Sequence, residues 1–137
     1  MTNLDKIAAE RAQQMALHAQ NISGVKKPIE TLERLVTKAL GVLQSQGVYA
    51  CMLFLFSRTG DESKIAPVVR AQLFEALKSL SIFADAQVPE ANSRARDALR
   101  FYSERVAGDN LDTLLLVRDL YEQTLTYARY HAKALGA

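Results

Sequence analysis

The sequence is sparing with the residues that interrupt or staple a fold. One cysteine, Cys51, stands in 137 residues, inside the apolar run from Val48 to Phe56. It leaves no partner for an intramolecular disulfide and no CxxC or CxxxH metal pattern, so the cytoplasm is the expected compartment. No stretch approaches the roughly 20 apolar residues that a membrane span requires, and the first residues form no signal-peptide core, so neither export nor a membrane partner is expected. Charge of one sign is scarce too. Seventeen Lys plus Arg face fifteen Asp plus Glu, a net charge of +2, which permits nucleic-acid binding without requiring it.

What remains is an ordinary globular composition, 49% hydrophobic and 23% charged, at a length that suits one domain spanning residues 1–137. The three prolines and six glycines fall between periodic stretches, as helix punctuation does. The pattern predicts an all-α fold, a compact single-domain bundle of about six helices.

The first helix is expected from Leu4 to Asn21, with Asn3 as its N-cap and Leu4, Ala8, Ala12, Met15, Ala19 and Ile22 on one stripe. Pro28 opens the second, which turns Ile29, Leu32, Leu35, Val36, Ala39, Leu40 and Leu43 inward and breaks at Gln46-Gly47. Val48 to Phe56 holds no polar residue, so periodicity alone does not separate a buried helix from a buried strand; helix is chosen because no partner strand exists.

Arg58 to Lys64 reads as a polar loop. A fourth helix is expected from Ile65 to about Leu80 with Pro67 in its first turn, then an irregular stretch to Val88. Pro89 is expected to open a fifth helix that runs to about Ala107. Gly108-Asp109-Asn110 separates it from a last helix, Leu111 to about Leu135. Apolar residues cover about half of that helix's circumference, which fits either a central strut or a subunit interface.

Motifs of catalysis are missing. There is no Gly-rich phosphate loop, nucleophile elbow or HExxH, and Asp61, Glu62 and Asp109 read as loop carboxylates that cap or are solvated. His18 and His131 lack a second ligand at metal-binding spacing, so no metal, no cofactor and no enzymatic activity is expected. His131 reads as a core histidine. His18 and Arg11 share one edge of the first helix, as a polar pair bonded to a neighbouring loop or as a ligand contact.

The basic residues form three clusters. Lys26, Lys27, Arg34 and Lys38 surround the start of the second helix, and Arg58, Lys64 and Arg70 bracket the polar loop. Arg94, Arg96 and Arg100 flank a fifth-helix stripe of Ala91, Ala95, Ala98, Leu99, Tyr102 and Val106. Phe101 falls outside that stripe, either covered by a neighbouring helix or free for a partner. Such spread cations suit a phosphate backbone read without regard to sequence, since every neutralised phosphate releases counterions whatever its base. Few contacts per copy give weak binding, so several copies along one nucleic acid are expected.

Three stretches carry a family likeness. They are Glu10-Arg11-Ala12-Gln13-Gln14-Met15-Ala16, Val42 to Phe54 around Gly47, and Tyr127-Ala128-Arg129-Tyr130-His131-Ala132-Lys133-Ala134. In these, in length and in helix count the chain resembles the small all-helical subunit of Cmr-type (type III-B) CRISPR effector complexes. Gln46 stands where that family usually has Asn, and Tyr127 where Trp is common.

The resemblance implies a noncatalytic antiviral-defence subunit that stacks in several copies along the guide RNA–target RNA duplex and helps to hold the target strand. Its implied partners are both RNAs, the backbone and large subunits of the ribonucleoprotein, and further copies of itself. Phe101, Tyr127 and Tyr130 are the subunit-interface candidates. A protein-only alternative, a helical adaptor or scaffold binding partners through its apolar C-terminal helix, stays open beside it.

Overall fold

The computed structural model describes residues 3–108 and 110–136. Met1, Thr2, Asp109 and Ala137 lie outside the described residues, and with Asp109 the reading of its carboxylate. The described residues form a compact all-helical bundle of six α-helices without a strand: α1 (Leu4–Gln20), α2 (Pro28–Gln46), α3 (Val48–Phe56), α4 (Glu62–Lys78), α5 (Ala95–Phe101) and α6 (Leu111–Gly136).

The first three helices lie where they are expected, α1 and α2 from their periodicity and α3 from the want of a partner strand. Asn3 caps α1, its Oδ1 accepting from the Lys6 amide at 3.1 Å. The inner face of α1 is mostly alanine (Ala8, Ala12, Ala16, Ala19, with Met15), and these small side chains let α4 and α6 pack close on either side. Pro28 occupies the first turn of α2.

Gly47 ends α2 and begins α3 in a single residue, with its φ of +98° in the region that favours glycine. The chain therefore turns a corner with no linker, and Val48, Cys51, Met52 and Leu55 enter the core at once.

α6 is the central strut. It packs along both α1 and α2, and Val117, Leu120, Tyr121, Thr124, Leu125, Ala128 and Ala132 are buried. Its outer edge carries a weak pair, Arg118 with Glu122 at 3.8 Å, spaced across one helical turn. Two buried phenols tie it to its neighbours. Tyr121 donates to the Leu73 carbonyl of α4 at 3.1 Å, which leaves Tyr102 to donate to the Tyr121 hydroxyl. Burial pushes the pKa of both phenols up, so both stay protonated and the relay keeps its direction.

Three expectations need correcting. α4 starts at Glu62 rather than Ile65, because the Ser63 and Lys64 amides bond back to Gly60 and Asp61 and nucleate the helix inside the supposed loop. Pro67 thus lies in the second turn; the Ser63 carbonyl it leaves without an intrahelical donor is on an exposed residue, where water can meet it.

Pro89 does not open a helix. The Glu90 amide donates to Ser93 Oγ at 2.9 Å and the Ser93 amide to the Glu90 carbonyl at 3.0 Å, a local turn that competes with helix and delays α5 to Ala95. Ala91 and Ala95, placed on the inner stripe by periodicity, are exposed.

The fifth helix also does not continue to Ala107 as an α-helix. Residues Tyr102–Val106 form a π turn closed by the Ala107 amide on the Tyr102 carbonyl at 2.8 Å. Val106 keeps the inward place that its spacing from Tyr102 gives it and is buried, and Arg105 is exposed.

Candidate nucleic-acid interface

Two of the three basic clusters meet in space. Arg34 and Lys38 stand one turn apart on the outer side of α2, and Lys26 and Lys27 lie just before its first turn, all four exposed. The start of α4 packs against this region. Lys64 donates from Nζ to the Gly24 carbonyl in the α1–α2 link at 2.9 Å, and Glu62 meets Lys38 of α2 at 2.9 Å. The outcome is a ridge of Lys26, Lys27, Arg34, Lys38 and Lys64 drawn from three segments. Lys26 and Arg34 have no ion-pair partner among the described residues, and Lys27 has only a loose, exposed one in Glu30 at 3.8 Å.

Two members of the cluster that brackets the polar loop leave it. Arg58 donates from Nε to the Phe54 carbonyl at 3.0 Å and stacks over the Phe54 ring at 3.7 Å. Arg70 donates to the Leu55 carbonyl at 2.8 Å and lies 4.3 Å over the Phe56 ring. Both therefore cap the C-terminus of α3, where carbonyls lack intrahelical donors and the helix dipole favours a cation. Burial lowers the pKa of Arg70 somewhat, in keeping with a guanidinium seated in the fold. These two are structural cations rather than members of a free surface.

Arg94, Arg96 and Arg100 are exposed around α5, which packs on α3, and none has an ion-pair partner among the described residues. They form a second basic surface on a different helix. Beside it opens a cleft of about 730 Å³, floored by Phe83, Val88 and Phe101. Its rim carries Lys78, Glu90 and Asp97, and Lys78 is held by Glu90 at 2.6 Å and Glu75 at 3.2 Å. Those carboxylates, Glu90 first, raise the pKa of Lys78.

The interface candidates divide. Phe101 is buried, its ring 5.7 Å from Phe83, because the 3-10 turn at Ser81–Phe83 folds over α5; it belongs to the core and not to a partner surface. Tyr127 is half-buried and its hydroxyl donates to Asp5 of α1, with Gln123 donating to the same carboxylate at 2.8 Å. Only Tyr130, 62% exposed, remains open among the three.

Arg11 and His18 converge as a pair, though on helix α4 rather than on a loop. Arg11 donates to Gln72 Oε1 at 2.8 Å, and the Gln72 amide lies 3.5 Å from His18 Nδ1. Gln72 is buried, so this contact satisfies a polar group within the α1–α4 seam.

Glu62, expected as a loop carboxylate that caps or is solvated, instead lies in the first turn of α4 and is ion-paired. Its side chain is only 12% exposed, with one oxygen on Lys38 and the other on Arg58 at 3.4 Å. Burial alone would raise its pKa, but the hydrogen bonds and charges of Lys38 and Arg58 outweigh that and hold the carboxyl below its ordinary value. The four-residue spacing of Arg58 and Glu62 was the available signal, hidden because the stretch read as a loop.

Cys51 is buried and its thiol is pushed up to about 12 by desolvation, which removes it as a nucleophile at neutral pH. Among the described residues no group of three His, Cys, Asp or Glu side chains could hold a metal ion, and no helix is long and apolar enough to cross a membrane. Compared with models of known protein families, with curated proteins and with solved structures, the chain matches none.

Proposed function

We propose that the chain is a noncatalytic RNA-binding subunit of a type III CRISPR effector complex, stacked in several copies along the guide RNA–target RNA duplex. The observation that carries this reading is the ridge of Lys26, Lys27, Arg34, Lys38 and Lys64, five cations drawn together from three segments. Cations set along a helix meet phosphates without reading bases, which is what a subunit serving any guide sequence requires. The likeness in its first, central and last stretches supports the same reading.

Purifying the tagged protein at low salt from its native host tests it. Short guide RNA and several larger proteins should co-purify, and recovery of proteins without RNA would overturn the proposal. The triple charge reversal K26E/K27E/R34E should weaken binding of an RNA duplex by about tenfold or more at low salt. The corresponding reversal of Arg94, Arg96 and Arg100 reports whether the α5 surface shares the load.

A protein-only scaffold is the second reading. It is favoured by exposed apolar pairs one turn apart, Tyr49 with Leu53 on α3 and Leu111 with Leu115 on α6. It loses its original support, since most of the broad apolar face of α6 lies inside the domain.

A further inference from the structure

The Glu62 carboxylate sits among cations whose natural competitor is phosphate. It draws Lys38 from α2 and Arg58 from the end of α3 onto its two oxygens, at 2.9 and 3.4 Å. Arg58 is fixed there by its bond to the Phe54 carbonyl and its stack on the ring. Lys38 is different. Its side chain is 53% exposed and, among the described residues, Glu62 is its only ion-pair partner, so the ammonium is free to swing outward once that carboxylate lets go. One turn away on the same outer side stands Arg34, already open to solvent.

We propose that Glu62 is an intramolecular competitor for the RNA backbone, an autoinhibitory contact that withholds Lys38 from the ridge until a phosphate displaces it. The inference rests on the RNA-binding reading of that ridge. A carboxylate and a phosphate oxygen offer an ammonium the same kind of charge-assisted bond. A strand lying over Arg34 and Lys27 therefore has to outbid Glu62 for the next cation. The contact lowers affinity per copy and makes Lys38 engage only when its neighbours are already bound. For a protein that acts in multiple copies, this sharpens the difference between an aligned duplex and a stray strand.

The test measures binding of an RNA duplex of arbitrary sequence to the whole protein across a salt series. Glu62→Gln removes the competing charge and should tighten binding about threefold at low salt. The slope of log affinity against log salt should steepen by about 0.7 to 0.9, one added phosphate contact. Adding Lys38→Met to Glu62→Gln should cancel both gains. Glu62→Ser provides the same charge removal should the glutamine variant fold poorly.

Unchanged or weaker binding by folded Glu62→Gln or Glu62→Ser overturns the inference, as does a gain that survives the loss of Lys38. The K26E/K27E/R34E protein separates the two levels. If that reversal abolishes binding while the Glu62 variants gain nothing, autoinhibition fails and the ridge stands; if the reversal leaves binding intact, the RNA-binding reading of the ridge fails with it.

Discussion

The α1–α2 link with the start of α4, and the stretch from Leu80 to Ala107, both expose arginine or lysine, but they are built on different principles. The first rests on long helices whose inner faces are buried along most of their length, and its cations project from regular positions. The second strings together a 3-10 turn, an extended segment, a two-turn helix and a π turn, held by Phe83 against Phe101 and by the Lys78–Glu90 bridge. Regular helices fix where a charge points. A segment held by a few side chains holds its charges less firmly, because local openings there require breaking few contacts.

Truncating one buried anchor in each region separates them most strongly. Leu32→Ala in α2 should lower global stability by about 2–5 kcal/mol, seen as a shift of the whole denaturation curve. Phe83→Ala, also at a fully packed ring, should instead raise hydrogen exchange selectively between Leu80 and Ala107, with a smaller change in global unfolding. Equal, uniform loss of protection in both variants would erase the distinction.

Tyr102→Phe probes the bond that joins the second region to α6. It removes the donor to Tyr121 while leaving the Tyr121–Leu73 bond in place, so a loss of about 1 kcal/mol is expected by chemical denaturation.

The Glu62 bridge gives the ridge its own pH signature. A carboxyl whose folded pKa is depressed stabilises the fold fully above its unfolded value, about 4.3 for Glu, and loses that contribution as pH falls through the folded pKa. Wild type should therefore exceed Glu62→Gln in Tm at neutral pH, by an amount worth up to about 1 kcal/mol, and the gap should close as pH falls below the ordinary Glu value and through the lowered folded one. The smallest effect belongs to Lys78→Met, which breaks the exposed bridge to Glu90 and should change global stability by under about 1 kcal/mol while loosening the 84–93 stretch in hydrogen exchange.

The same contrast explains what could be read from the chain beforehand. α1, α2 and α6 are legible because their inner faces repeat at the helical period over many turns, and Gly47 because the corner demands a positive φ. The fifth helix was overextended because its start is decided by the Ser93 hydroxyl and its end by a backbone turn that changes period, neither of which periodicity can register. Phe101 was misplaced for the same reason, since its cover, Phe83, arrives from another segment. In the candidate site, Lys26, Lys27, Arg34 and Lys38 were legible as a cluster. Its junction with Lys64, and the withdrawal of Arg58 and Arg70 into the α3 cap, depend on contacts across 15 or more residues or on carbonyl directions that residue type does not encode.

The one-residue corner at Gly47 sets a rule for rebuilding this protein. Since α3 follows α2 without slack, a single residue inserted there has no linker to take it up and should disturb the seating of Cys51, Met52 and Leu55 in the core. The exposed turn around Ala91 and Asn92 has no such gearing, as its neighbours reach α5 through irregular backbone. A fluorescent or affinity label spliced into the chain belongs at that turn, where added length leaves every helix in register.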